Sequence, residues 1–296
     1  MKIGFSSLAT PTWSLATIIS RAAEFGFDGV ELRGLEGELQ LARVPALVRD
    51  PEAVRRQFAA AKIELACLGS SSSLTGRKPR EMAKERTALV EIIELASALG
   101  CPFVRTFVGE ARPGEYARVA LARAVDALLT LAPIASGFDV TILVENTGDF
   151  VASEELWFLA DAVEHPSVRV CWNQCNAMTV RERPTLSLPR LGRKIGMVHM
   201  CDAEFDEQGI LMDYKPLGEG HVEAARQVEI LRGLLFDGYF MFEWPKLWVP
   251  SLPEPDAALP AAATFLRACL DSRQSELTAY KGDKNAPRLA ARGGVS

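Results

Sequence analysis

Four apolar runs from the middle of the chain onward each close on a polar side chain with chemistry to offer: ILVEN carries Glu145, VCWN Asn173, MVHM His199 and FMFEW Glu243. Two carboxylates can divide a proton transfer between them, one taking a proton from carbon and the other returning it. Together with an imidazole and an amide they also form a set of hard and borderline donors, suited to Mn²⁺, Mg²⁺, Co²⁺ or Zn²⁺. One carboxylate at one strand end is as readily a solvated loop residue. Four such endings on consecutive runs point to a shared site, although their spacing alone identifies no metal.

Other residues are candidates with a plainer alternative beside each. Glu31 and Arg105 close earlier apolar runs and suit substrate hydroxyls or a carboxylate, or a salt bridge at a rim. Lys215, before PLGEG, and Lys246, after FEWP, suit an anionic substrate or are simply solvated lysines. Asp202, three residues after His199, is placed to touch substrate or to support a ligand. Trp13, Trp172, Trp244 and Trp248 suit a sugar-stacking wall or ordinary packing. Cys171, Cys175 and Cys201 flank the same segments. A soft Zn²⁺ site with His199 is one reading of them, but Cys171 and Cys201 share strand parity with Asn173 and His199, which favours packing in a barrel interior. Gly218 to Gly220 signals a loop and says nothing about phosphate.

These residues need elements to hold them. Short apolar runs alternate with longer segments of helical period, the pattern of parallel strands joined by crossover helices, and do so eight times. Strands are expected to open near Lys2, Asp28, Ile63, Pro102, Val140, Val168, Ile195 and Tyr239. Ser14 caps a helix that buries Leu15, Ile18, Ile19 and Ala22 and stops at Gly26. Asp50-Pro51 opens another. Leu89, Ile92, Ile93, Ala96 and Leu99 form the apolar face of a long helix ended by Gly100. Further helices are expected over Ser153–Glu164, Val222–Phe236 and Ala257–Asp271, with a short one around Leu188–Arg193. The result is an α/β fold: a single (β/α)8 TIM barrel over residues 1–272, followed by a tail, 273–296, read as disordered or as an oligomer arm. In such a barrel the strand C-termini face the active site, where the four polar endings belong.

The chain has 296 residues and a formal net charge of −5, with 33 Lys and Arg scattered rather than striped. Nucleic acid is therefore a poor partner. No apolar stretch reaches the ~18 residues of a membrane span and no signal segment opens the chain, so no membrane partner is expected. Six cysteines without a CxxC pair suit a reducing cytoplasm. A homodimer is the default assembly.

Five segments carry a resemblance: GFDGVEL at Gly26 to Leu32, ENT at Glu145 to Thr147, VHMCDA at Val198 to Ala203, PLGEG at Pro216 to Gly220 and DGYFMFEW at Asp237 to Trp244. In order and position they resemble the xylose isomerase-like TIM barrels, the sugar phosphate isomerase/epimerase group of carbohydrate metabolism, over roughly residues 1 to 270. The resemblance implies a divalent metal held by Glu, Asp, His and Glu from the last four strands, hence Glu145, Asn173, His199 and Glu243. The chain departs from that pattern at Asn173, which stands where the group has Asp and brings no negative charge. It departs again at Asn176, where epimerases of the group tend to have a substrate-orienting histidine. Metal affinity is expected to be low for this reason. The implied activity is a sugar isomerase or epimerase acting on a small polyhydroxy carbonyl compound by proton abstraction beside the carbonyl through Glu145 and Glu243, with Trp244 near substrate. A dehydratase or β-eliminating lyase on an inosose or 3-keto sugar would use the same pair. A metal-free barrel that binds sugar or supports a partner is a third reading, favoured by Asn173. Endonuclease IV shares the fold, but its multi-zinc site needs several histidines and this chain has three.

Overall fold

The computed structural model describes residues 1–75 and 78–282, and each of the eight apolar runs forms a strand within one residue of its expected start. The strands are β1 (Lys2–Ser6), β2 (Gly29–Leu32), β3 (Glu64–Thr75), β4 (Phe103–Gly109), β5 (Thr141–Glu145), β6 (Val168–Asn173), β7 (Ile195–Met200), the short β8 (Asp202–Phe205) and β9 (Leu211–Lys215), and β10 (Tyr239–Phe242). All but β8 and β9 pair in parallel and close into a barrel in the order β1-β10-β7-β6-β5-β4-β3-β2. The strands read as apolar runs because they are covered on both faces, by side chains inside the barrel and by helices outside.

The helix punctuation acts as its chemistry requires. Ser14 Oγ accepts the Thr17 N–H at 3.3 Å and Asp50 accepts the Ala53 N–H at 2.9 Å, opening helices Leu15–Glu24 and Pro51–Ala61. Helix Pro79–Leu99 buries Leu89, Ile92, Ile93, Ala96 and Leu99 and stops at Gly100, whose φ of 68° is left-handed. Helix Ala117–Gly137 is long and apolar enough by length and composition to cross a membrane, but Ala120, Leu121, Ala124, Leu128, Leu131, Ala132 and Ala135 are buried in the fold. A buried helical face accounts for that composition.

Four differences from expectation matter. The sixth-crossover helix, Pro184–Leu191, starts ahead of the expected Leu188, with Pro184 in its first turn. An extra short helix, Gln174–Met178, follows β6 directly. The antiparallel hairpin β8–β9 is an insertion after β7. The last helix is Pro255–Gly282, so it continues past Asp271 into the segment assigned to the tail; residues 283–296 lie outside the described residues.

Inside the barrel, Ala66, Cys67, Phe103, Leu143, Cys171, Met197, Tyr239 and Met241 form an apolar plug. Strand parity then puts Arg105, Glu145, Asn173, His199 and Glu243, each two residues beyond a member of this plug, above it at the C-terminal mouth, where Glu31 of β2 joins them.

Candidate active site

The mouth is built from charge laid on an apolar floor. Arg105 reaches across it: Nε donates to Glu31 Oε1 at 2.8 Å and a terminal guanidinium nitrogen lies 3.0 Å from Glu145 Oε2. His199 stands among the carboxylates, with Nε2 3.0 Å from Glu31 Oε2 and Nδ1 3.0 Å from Glu145 Oε1 and 3.5 Å from Glu243 Oε1. Glu31, Arg105 and His199 are at most 1% exposed. Gly69 makes this crossing feasible, because a Cβ there would lie 2.7 Å from Arg105, 2.7 Å from Arg33 Cδ and 3.1 Å from Glu31 Oε1.

Asn173 joins the two catalytic candidates. Its Nδ2 donates to Glu145 Oε1 at 3.1 Å and to Glu243 Oε2 at 2.8 Å. Its Oδ1 caps helix Gln174–Met178, accepting the Cys175 and Asn176 N–H groups at 3.1 and 3.4 Å. The cap fixes the amide's orientation, since turning it over would set an NH₂ against two N–H donors and an oxygen against two carboxylates. Asn146 secures the backbone behind it: its Oδ1 accepts the Asn173 N–H at 2.7 Å and its Nδ2 donates to the Asn173 carbonyl at 2.9 Å.

The carboxylates titrate in different directions. Burial raises Glu31, but Arg105 and His199 outweigh it and hold the carboxyl well below the usual range. Burial likewise raises Glu145, and His199 and Arg105 bring it below its ordinary value. Glu243 goes the other way: burial pushes it up, His199 recovers part, and the charge on Glu145 adds to the rise. Burial disfavours the His199 cation, yet Cys171, Glu145, Glu31 and Glu243 lift it well above its ordinary value. Cys171 is itself pushed up to about 11 by burial, so it is a neutral thiol near pH 7 and the glutamates carry the effect. Two neighbouring carboxyls moved apart in this way can divide acid and base roles between them.

A family model described as "Xylose isomerase-like TIM barrel" matches residues 19–269. The chain belongs to that family. Solved structures similar to this xylose isomerase-like barrel include an L-ribulose 3-epimerase, at 17% identity and TM-score 0.75 with 97% of this chain and 99% of the other covered. Another is 3-keto-D-glucoside 4-epimerase from E. coli, at 15% identity and TM-score 0.73 with 91% and 100% covered. A third is a probable 3-DHS dehydratase from Bacillus anthracis, at 17% identity and TM-score 0.71 with 90% and 99% covered. At these identities the likeness is one of fold. No curated protein matches the chain in sequence.

The donor set of this xylose isomerase-like barrel fits a divalent cation at three points. One ligand atom each from Glu145, His199 and Glu243 lies within 4.8 Å of the others. The fourth point does not fit: the sequence suggests that Asn173 offers its amide oxygen, but the oxygen is committed to the helix cap and the N–H donors face the carboxylates. A donor cannot ligate a cation.

Several other candidates have structural partners instead. Lys215 Nζ lies 2.9 Å from Asp213 and 3.4 Å from Glu204, on the hairpin. Lys246 Nζ donates to the Pro250 and Leu252 carbonyls and to Glu254, at 2.6 to 2.8 Å, holding the loop after β10 together. Trp244 is 2% exposed, stacks on Phe242 and donates to the Pro253 carbonyl, so it packs rather than presenting a face to sugar. Trp172 is fully buried and donates to Gln174. The Asp202 carboxylate accepts the N–H groups of Ala203, Gly218, Gly220 and Val222 at 2.8 to 3.2 Å, shaping the PLGEG loop. Asn176 Nδ2 donates to the Asn146 carbonyl at 2.8 Å. Cys175 and Cys201 pack with Ala203, Phe205 and Val222.

One residue of the mouth escaped the sequence reading. Arg33 follows β2 and is 7% exposed. It shares parity with Glu31, and that is the signal by which it could have been found.

Proposed function

We propose that this barrel is an isomerase or epimerase of a sugar or sugar derivative, removing a proton from carbon beside a carbonyl with Glu145 and Glu243 as the catalytic pair. The observation that carries this reading is their convergence on the single Asn173 Nδ2 at 3.1 and 2.8 Å, combined with their opposite titration shifts. The similar structures, two epimerases and a probable dehydratase, support it.

Within the pair, Glu145 is held ionised by Arg105 and His199 and is the weaker base. Glu243, partly open to the mouth with its side chain 16% exposed, is the more basic carboxyl and the one that takes the proton from substrate. His199, whose ring nitrogens lie 3.0 Å from Glu31 and from Glu145 and 3.5 Å from Glu243, holds the three carboxyls in place around the reacting carbon. Glu145, His199 and Glu243 are the residues that would hold a divalent cation, which when bound supplies polarisation of the carbonyl.

The test is solvent deuterium uptake at carbon by a panel of ketoses, inososes and 3-keto sugars, followed by mass spectrometry. Uptake that disappears in Glu243→Gln is the expected result. A panel with no exchange at any carbon overturns the enzymatic reading and leaves a barrel that binds without catalysis. The raised Glu243 also suits protonation of a departing β-hydroxyl, so a product lighter by one water marks a lyase instead.

A further inference from the structure

Arg33 is the cation of the mouth that lies near Glu31, Glu145 and Glu243 yet touches none of them directly. Its guanidinium carries a buried terminal nitrogen with no hydrogen-bond partner, and among the described residues it forms no ion pair. It belongs to the same crowd as the catalytic candidates, since its Cδ, Arg105 and Glu31 Oε1 all converge above Gly69. Its position is fixed from behind: the Ser7 hydroxyl accepts the N–H groups of Arg33 and Gly34 at 2.9 and 3.2 Å and donates to the Gly34 carbonyl at 2.7 Å. Burial and the like charge of Arg105 push the guanidinium down to about 10 against the pull of Glu31, Glu145 and Glu243, so it remains a cation at neutral pH. A buried cation with an open donor costs free energy unless something binds there.

We infer that Arg33 is the subsite for a carboxylate on the substrate, so that the substrate is a sugar acid or keto acid rather than a neutral sugar. This rests on the reading of the mouth as a sugar-binding site. A single fork with one charge matches a carboxylate, which is planar and singly charged. A dianionic phosphate ordinarily gathers more donors, and Lys215 and Lys246, the lysines the sequence offers for an anion, are already committed to carboxylates and carbonyls. Arg105 is unsuited to the task because Glu31 and Glu145 occupy it.

The test compares compounds of one carbon skeleton by calorimetry on the full chain: D-fructose, 2-keto-D-gluconate and D-fructuronate, which place a carboxylate at either end, and D-fructose 6-phosphate. At least one acid is expected to bind roughly ten- to hundredfold tighter than fructose, the range for a hydrogen bond to a charged group. Arg33→Gln should collapse that ratio, and Arg33→Lys, which keeps the charge and tests the site if the glutamine variant does not fold, should retain part of it. Acids no tighter than fructose in the native protein, an undiminished ratio in Arg33→Gln, or tightest binding by the phosphate would each overturn the assignment. Deuterium uptake is scored separately. Arg33-dependent acid binding without exchange sinks the isomerase reading and leaves the subsite, whereas exchange with no acid preference does the reverse.

Discussion

Replacing Asn173 by Asp exchanges two hydrogen bonds for two repulsions. The cap on helix Gln174–Met178 survives, because Asp and Asn serve equally well as N-caps and the same oxygen accepts the Cys175 N–H. The donor that bridges Glu145 and Glu243 at 3.1 and 2.8 Å is lost. Hydrogen bonds to charged groups contribute about 1.5–3 kcal/mol each, so the two together set a cost of roughly 3–6 kcal/mol before the new charge is considered. At about 2 cal/mol/K per residue of unfolding entropy, that corresponds to a fall in Tm of roughly 5–10 °C for a chain of this length. The same exchange gives a cation a fourth oxygen and a third negative charge. Mn²⁺ at a hundred times its Kd should then return about 2.7 kcal/mol. The assay is scanning calorimetry at pH 8, with EDTA and with excess Mn²⁺, alongside metal analysis of both proteins. The native protein is expected to hold metal weakly and to gain little; Asn173→Asp should melt early in EDTA and recover with Mn²⁺. If Asn173→Asp is as stable as the native protein in EDTA, or if Mn²⁺ stabilises both equally, the amide N–H is not what holds the glutamates together.

Two further outcomes follow from buried titrating groups. Glu31 lies below its ordinary value of 4.5 in the folded protein, so its contribution to stability is complete above that pH and is lost as pH falls from there. Urea unfolding from pH 6 to pH 3 should therefore show a shallower decline for Glu31→Gln than for the native chain; parallel profiles would refute the role of Arg105 and His199 in holding the charge. Cys67, Cys101, Cys171, Cys175 and Cys201 are buried and Cys269 is partly so, with burial pushing Cys101 up to about 12. Native protein treated with Ellman's reagent should release at most one thiol equivalent, from Cys269, and all six after denaturation; two or more fast thiols in the native protein would contradict the packing.

The barrel was legible because parallel strands covered on both faces must be apolar, and that leaves runs such as ILV and FMF that little else explains. Glu145, His199 and Glu243 stood out for the same reason, as polar residues closing such runs. Arg33 did not, because a polar residue one step past a strand end is ordinary, and the parity it shares with Glu31 is a weak guide once the strand has ended. Asn173 was visible, but which end of its amide faces the mouth depends on a five-residue helix with no apolar period of its own. The two lysines show the opposite case. Lys215 and Asp213 are two apart on one strand and so share a face, a pairing that local spacing already contained. Lys246 is held by a loop that folds back on itself, and only the three-dimensional path shows that.

The backbone staples around the mouth are distributed unevenly, and this bears on how the protein could be retooled. Asn146 ties β5 to β6, Asp202 gathers the turn at 216–222, and Lys246 knots the segment after β10. A change on that arc therefore disturbs a side chain that holds its own loop or, at Asn146, the neighbouring strand end. The exposed turns at 36–40 and 110–116 lie on the opposite arc, beyond β2 and β4. Libraries aimed there can reshape what the mouth admits while the arc that carries Glu145, Asn173, His199 and Glu243 stays in register.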